Sequence, residues 1–285
     1  MASATEKSFT RVTLALDIIG AIGRGRFKGF HELAIIKHRI GLYDTVTVED
    51  SRSTRIRCSH PAVPLDNTNI CWKALDAVKN SCHIDRNAVI TIEKNIPVFG
   101  GLAGGSANGA STLKLLNTLW DLKLGAKELI ALGRSVGMDV PYYFMGNTAF
   151  DSEAAGILEP LSTSLCFDFI LVIPDFGVST REAYGDIDYR LIAKNTEETS
   201  FMKKALEKND HDGVINNLHN DFELSVFKRY PELDRIKKKL LLLGCANAVM
   251  SGSGSTVIGI LGKSADGEKI GKEIGHKSLI VSSKK

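Results

Sequence analysis

The chain has 285 residues, 44% of them hydrophobic and 24% charged, a balance that excludes a disordered or fibrous protein and leaves ample apolar side chain for a core. Lysine and arginine total 36 against 33 acidic residues, a net charge of +3 that gives no electrostatic drive toward nucleic acid, so any bound phosphate must be held locally. The five cysteines are scattered and form no C-x-x-C and no zinc-like spacing with the seven histidines, a pattern of reduced thiols expected in the cytoplasm.

Met1 to Thr10 is polar and lacks the apolar stretch of a signal peptide. From Arg11 to Ile19 the side chains of Val12, Leu14, Leu16 and Ile18 fall on one face and Thr13, Ala15 and Asp17 on the other, as in a half-buried strand. Further strands are predicted at Thr45 to Glu49, Ala88 to Glu93, Phe167 to Ile173 and Thr256 to Leu261. Apolar residues recur at helical spacing in Ala74 to Val78, Ser106 to Trp120, Lys127 to Val136, Phe201 to Lys208 and Leu233 to Leu243, the last stopped at Gly244 as by a C-terminal cap. No run approaches the roughly 20 apolar residues of a membrane span, so no membrane partner is expected. The stretch Pro160-Leu161-Ser162-Thr163-Ser164 is the best candidate boundary and divides 1–160 from 161–285.

Two glycine-rich clusters interrupt these elements. Phe99-Gly100-Gly101-Leu102-Ala103-Gly104-Gly105-Ser106-Ala107-Asn108 follows a strand and opens onto a helix; Met250-Ser251-Gly252-Ser253-Gly254-Ser255-Thr256 leads into a strand. Glycines at a helix start let backbone approach a bulky anion, and the first N–H groups of the helix are unpaired donors at its positive end. The first cluster is therefore a phosphate-loop candidate, although it matches neither the G-x-x-x-x-G-K-[ST] loop nor the dinucleotide G-x-G-x-x-G pattern; a tight turn serving only backbone geometry is the other reading. Asp139, in Gly137-Met138-Asp139-Val140-Pro141, could cap the next turn or orient a hydroxyl during phosphoryl transfer. His31, Lys94, Tyr184 and the Asn220-Asp221-Phe222-Glu223 stretch carry no function separately.

Taken together these segments resemble the GHMP kinases, the superfamily named for galactose, homoserine, mevalonate and phosphomevalonate kinases. The resemblance rests on Pro97 to Asn108 as phosphate loop, Ala248 to Thr256 as carboxy-terminal motif, and Arg11-Val12-Thr13-Leu14 as first strand. Gly29-Phe30-His31-Glu32-Leu33, Gly41-Leu42-Tyr43-Asp44, Gly137 to Pro141, Val178-Ser179-Thr180 and Asn220 to Glu223 extend it over nearly the whole chain, toward the branch whose acceptor is a methylerythritol carried on cytidine diphosphate.

The resemblance implies an α+β fold of two domains, the N-terminal ATP-binding domain 1–160 and the C-terminal domain 161–285, with the active site in the inter-domain cleft. It implies a monomeric or weakly dimeric kinase that uses ATP and Mg2+ and a small-molecule acceptor, with no metal ligand assigned in the chain. Asp139 would be the catalytic carboxylate and Arg11, where the family has lysine, its electrostatic partner. ATP would be held by Asn69, Lys94, Pro97, Val98, Phe99, Gly100, Gly101, Leu102, Ala103, Gly104, Gly105, Ser106, Ala107 and Asn108. Thr13 (asparagine in the family), Phe30, His31, Thr180 and Tyr184 would hold the acceptor, its base lying between His31 and Tyr184; such stacking contributes roughly 1–3 kcal/mol. Arg11 and Thr13 leave open a GHMP kinase with another small alcohol or sugar as acceptor, and a non-catalytic relative that binds a nucleotide or metabolite.

Overall fold

The computed structural model describes residues 2–23, 31–153, 156–192 and 197–284. Its elements in chain order are β1 (Ser3–Ala21), β2 (His31–Ser51), β3 (Arg55–Cys58), α1 (Ile70–Cys82), β4 (Asn87–Glu93), α2 (Gly104–Leu119), α3 (Ala126–Val136), a 3-10 helix (Val140–Phe144), β5 (Thr148–Glu153) and β6 (Leu158–Pro160). They continue with β7 (Asp168–Ile173), α4 (Thr180–Gly185), α5 (Glu198–Glu207), α6 (His211–Asn216), β8 (His219–Asn220), α7 (Glu223–Arg229), α8 (Pro231–Leu242), β9 (Cys245–Met250), β10 (Val257–Leu261), α9 (Gly267–Glu273) and β11 (Lys277–Ser282). All of the strands and helices anticipated from periodicity are present, and the two amino-terminal strands run much longer than their apolar patterns.

The chain forms two compact units, each made of discontinuous segments, and both β1 and β2 contribute residues to each. The first unit comprises Met1–Thr10, Leu42–Val98 and Ala103–Gly146. Here β4 pairs antiparallel with the second half of β2, from Thr45 opposite Glu93 to Ser51 opposite Asn87, and parallel with β3 on its other side. The helix α2 buries nearly every side from Ala107 to Leu116, which its sequence permits because Ala107, Gly109, Ala110 and Ser111 are small. Ile70 at the start of α1 fills the space they leave: a Cβ added at Gly109 would lie 3.1 Å from its Cγ1, and one at Gly137 would lie 3.3 Å from its Cδ1. One isoleucine thus sets the distance from α1 both to α2 and to the turn that precedes Asp139.

The second unit comprises Arg11–Gly41, Phe99–Leu102 and Asn147–Lys285. Its centre is a four-stranded antiparallel sheet in the order β11-β7-β10-β9. Ile170, Val172, Ala248, Met250 and Val257 from that sheet pack with Phe222, Val226, Leu233, Ile236 and Leu240 from α7, α8 and the residue before α7. The alternating apolar residues of the sheet and the i, i+3, i+4 spacing along α8 supply the two faces of this core. The second half of β1 pairs parallel with β8, and the first half of β2 pairs antiparallel with β5.

One expectation is corrected. The segment from Val12 to Ile18 is buried on both faces, with Thr13 at 1% and Asp17 at 2% exposure. Alternation reads as half-buried only when the polar face meets water; here Thr13 and Asp17 meet polar partners. The backbone N–H of Thr13 donates to Ser251 Oγ at 3.2 Å, and Asp17 accepts from His219 Nε2 at 2.6 Å.

Candidate active site

The turn between β4 and α2 curls because Phe99, Gly101 and Ala103 all take positive φ, at 61°, 69° and 53°. That curl delivers the chain to Gly104, where α2 begins with no side-chain cap and no acidic residue in its first turn. The first N–H groups of this 16-residue helix are left as donors at its positive end, a natural anion site. A Cβ at Gly104 would lie 2.8 Å from Ile96 Cγ2 and 3.2 Å from Lys94 Nζ, so glycine brings the helix start against the lysine. Tyr143 holds the same corner by donating its hydroxyl to Ala103 O at 3.1 Å.

Lys94 and Asn108 meet at a residue to which the sequence reading gave no role. Asp44 is fully buried, and its carboxylate accepts from Lys94 Nζ at 2.5 Å, from Asn108 Nδ2 at 2.9 Å, and from the backbone N–H groups of Asn95 and Ile96 at 2.7 and 2.8 Å. Four charge-assisted contacts on one buried carboxylate make it the joint between the end of β4 and the start of α2. A buried acid between the apolar residues of a strand is the sequence signal for such a joint. Asn69 instead caps α1: its Oδ1 accepts from Cys71 N at 2.8 Å and its Nδ2 donates to Pro64 O at 2.6 Å.

In the second unit the two glycine clusters meet. Ser251 Oγ and Arg11 Nη1 donate to Gly101 O at 3.3 and 3.0 Å, and Thr256 N donates to Gly100 O at 3.3 Å. A Cβ at Gly101 would overlap Ser251 O and lie 2.8 Å from Gly254 O, so no other residue fits where the clusters touch. Arg11 Nη1 also donates to Thr13 Oγ1 at 3.1 Å, tying the first strand to the loop tip. Thr180 exchanges a hydroxyl hydrogen bond with Ser253 at 3.1 Å.

Asp139 stands half-buried at the start of the 3-10 helix, followed by Pro141 in its first turn. The turn is held by Val140 N donating to Gly137 O at 3.1 Å, with Val140 and Tyr142 fully buried behind it. This rigid corner presents a carboxylate with a fixed backbone, as a general base or orienting group requires.

Phe30 and the basic segment 24–29 lie outside the described residues. His31 stacks directly on Tyr184 with ring centroids 4.6 Å apart, and Tyr189, which the sequence reading did not single out, lies nearly parallel to it at 5.9 Å with its hydroxyl hydrogen-bonded to His31 Nε2. Partial burial lowers the His31 pKa from its ordinary value, favouring the neutral ring. Phe222 supports Tyr184 edge-on at 5.0 Å. Asp17, Glu198 and His219 form the metal-like cluster found among the described residues. Both ring nitrogens of His219 are engaged, Nε2 with Asp17 and Nδ1 with Asn217 O at 2.9 Å.

A helix start stripped of side chains by glycine, with a buried lysine beside it and a carboxylate on a hydrogen-bonded turn in the same unit, is an arrangement with the chemistry to receive a phosphate. Residues 69–147 match the family model described as GHMP kinases N terminal domain, and residues 202–278 match that described as GHMP kinases C terminal. The chain belongs to the GHMP kinases. It is 35% identical to the 4-diphosphocytidyl-2-C-methyl-D-erythritol kinase of Gloeobacter violaceus over 93% of this chain and 87% of that one. It is 36% identical to the enzyme of that name from Clostridium botulinum (strain Eklund 17B / Type B) over 96% of this chain and 97% of that one. Among solved structures, a 4-(cytidine 5'-diphospho)-2C-methyl-D-erythritol kinase is similar with a TM-score of 0.79 at 23% identity, covering 99% of this chain and all 100% of that one. Homoserine kinase from Cytophaga hutchinsonii gives 0.77 at 16% identity, covering 100% and 95%. Both share the α+β fold described above.

Proposed function

We propose that this protein transfers the γ-phosphoryl group of ATP to a hydroxyl of 4-diphosphocytidyl-2-C-methyl-D-erythritol, a step in isoprenoid precursor synthesis. The observation that carries this reading is 33–36% identity over 93–96% of the chain to relatives bearing that kinase's name. Pro97 to Asn108 receive the ATP phosphates on backbone N–H groups, with Lys94, held in place by Asp44, offering a further N–H donor at the start of α2. Asn69 contributes from the cap of α1. Magnesium enters with the ATP as its phosphate chelate, part of the substrate. Asp139 takes or orients the acceptor hydroxyl proton, and Arg11 supplies fixed positive charge toward the transferring group; a guanidinium does not give up a proton at working pH. Thr13, Phe30, His31, Thr180 and Tyr184 hold the acceptor.

The reading takes 1–160 and 161–285 as the family's N- and C-terminal domains, and the two family-model matches fall one within each range. It places the enzyme in the cytoplasm as a monomer or weak homodimer, in keeping with five free cysteines and with no helix among the described residues long and apolar enough to cross a membrane.

Replacing Asp139→Asn is expected to lower turnover by roughly 10²–10⁴-fold while the KM for ATP stays within about twofold. Wild-type turnover in that variant would remove Asp139 from the chemistry. The second reading, another small alcohol as acceptor, is favoured by the direct stacking of His31 on Tyr184, which leaves no gap for a base between them. ATP consumption measured with the cytidine conjugate, homoserine, mevalonate and simple sugars separates the two, and no consumption with any acceptor would point to a binding protein.

A further inference from the structure

Tyr189 lies in the turn that follows α4 and is 51% exposed, so water alone could satisfy its hydroxyl. Instead the hydroxyl hydrogen-bonds His31 Nε2, and its ring stands 12° from parallel to the imidazole. The turn is built to hold it there. Ile187 packs on the core of the second unit and Ile192 lies within that core, tethering the segment at both ends. Between them Leu191 N donates to Asp188 O at 2.9 Å, and the Asp188 carboxylate accepts from Arg190 N, Nε and Nη2 at 3.1, 2.9 and 2.8 Å. The imidazole is also constrained on its face, where it stacks on Tyr184 at 4.6 Å, and Tyr184 is backed edge-on by the buried Phe222. His31 is thus held in orientation by one tyrosine and at one nitrogen by the other.

A hydrogen bond at one nitrogen of a neutral histidine settles what the other nitrogen can do. Partial burial favours the neutral His31 ring, which carries a single N–H. A phenol O–H facing an imidazole nitrogen donates to its lone pair, and a nitrogen that accepts in this way does not carry the proton. Among the described residues nothing hydrogen-bonds His31 Nδ1. We infer that Tyr189 is a positioning residue for the acceptor: its hydroxyl donates to His31 Nε2 and so places the imidazole proton on Nδ1, leaving that N–H to donate to the acceptor's base. The inference rests on the function proposed above, in which His31 holds the acceptor, and adds the residue that sets what His31 presents. The ligand chemistry follows from a single fixed donor. It suits a heteroaromatic edge that offers acceptors only, as the N3 and O2 edge of cytosine does, whereas uracil carries a proton on N3 and would oppose one N–H with another. An imidazole free to move its proton between nitrogens would read either edge.

The test uses the full-length protein and its Tyr189→Phe variant, which keeps the ring and loses only the hydroxyl. In ligand-free protein, long-range proton–nitrogen NMR of the histidine rings, with the His31 signals identified by their loss in His31→Gln, should show Nδ1 protonated and Nε2 bare in wild type. The same spectrum of Tyr189→Phe should show a mixture of the two tautomers. With both substrates varied, Tyr189→Phe should raise the KM for the cytidine conjugate about fivefold or more, while kcat and the KM for ATP stay within about twofold. The ratio of kcat/KM for the cytidine conjugate to that for its uridine analogue should fall about tenfold in the variant. A proton on Nε2 in wild type, the same tautomer in both proteins, or an unchanged ratio would each overturn the inference. Turnover of neither conjugate by wild type would overturn the function proposed above and the acceptor role with it. The tautomer, measured without ligand, decides separately whether Tyr189 sets the His31 proton, so the two failures are told apart.

Discussion

At the scale of single residues, a buried histidine shows how a polar side chain in the interior is satisfied by partners far along the chain. His38 is buried at 2% exposure, with Nδ1 hydrogen-bonded to Thr148 Oγ1 at 2.9 Å and Nε2 to Ser283 Oγ at 2.7 Å. Phe167 and Phe169 flank its ring at 6.1 Å. Burial pushes its pKa down to about 4 from the ordinary 6.5. Between these two values the unfolded chain takes up a proton that the folded chain refuses. Stability from this residue is therefore intact above about pH 6.5 and falls as the pH drops toward 4, by roughly 3 kcal/mol in all. Urea unfolding of wild type and His38→Gln from pH 7 to pH 4 should show the wild type losing more stability than the variant. Parallel pH curves would show that His38 titrates alike in both states. A histidine in the middle of a strand pattern discloses none of this, because its partners stand 110 and 245 residues away.

At the scale of elements, the Asn220-Asp221-Phe222-Glu223 stretch acts as a clamp between β8 and α7. Asn220 Nδ2 donates to Met250 O at 2.7 Å and Gly252 O at 2.8 Å, Asp221 Oδ2 accepts from Ile18 N at 2.8 Å, and Glu223 Oε1 accepts from Met250 N at 2.7 Å. The loop between β9 and β10 is thus fixed from one side by Asn220, and on the other it meets Gly101. Asn220→Ala should destabilise the protein by roughly 2 kcal/mol or more, as two buried carbonyls lose their donor. It should also raise the KM for ATP severalfold, because the glycine loops lean on each other. Asn220→Asp, the same shape with a carboxylate oxygen facing those carbonyls, should do no better than alanine. A normal ATP KM in both variants would show that the loop holds its shape without the clamp. The longer patterned elements were legible, whereas β5, β9, β11, α4, α6, α7 and α9, each six or seven residues long, were not anticipated, because so few residues offer less than two helical turns or barely three alternations of pattern. Apolar periodicity located α2 and α3 to within two residues at either end, and their glycine boundaries were visible as such. The short pieces β3, β6 and β8 were not, because two to four residues carry no period and exist only where a neighbouring strand accepts them.

At the scale of the whole molecule, the five cysteines report how the interior is closed. Cys71 and Cys245 are buried, and burial pushes their thiols up to about 12 and about 11, whereas Cys166 is exposed. Native protein treated with a thiol reagent near pH 8 should be modified quickly at Cys166 and not at Cys71 or Cys245, while all five react once the chain is unfolded. Rapid native labelling of Cys71 would mean that the α1–α2 packing opens readily. The sequence by itself determined that the chain is globular, that Gly100 to Gly105 open a helix, that Asp139 sits at a turn, and which superfamily these motifs resemble. The helix start and the turn follow from turn chemistry and periodicity within a few neighbouring residues, globularity follows from composition, and the superfamily rests on resemblance of the motifs alone. Only the tertiary structure decided that Asp44 joins Lys94 to Asn108, that both faces of β1 are covered from Val12 to Ile18, that Gly101 rests on a loop 150 residues away, and that Phe99 stands exposed above Gly177. These are contacts between distant stretches, set by which backbones pack closely enough to exclude a side chain or share a proton, and a local pattern holds no record of its distant partner.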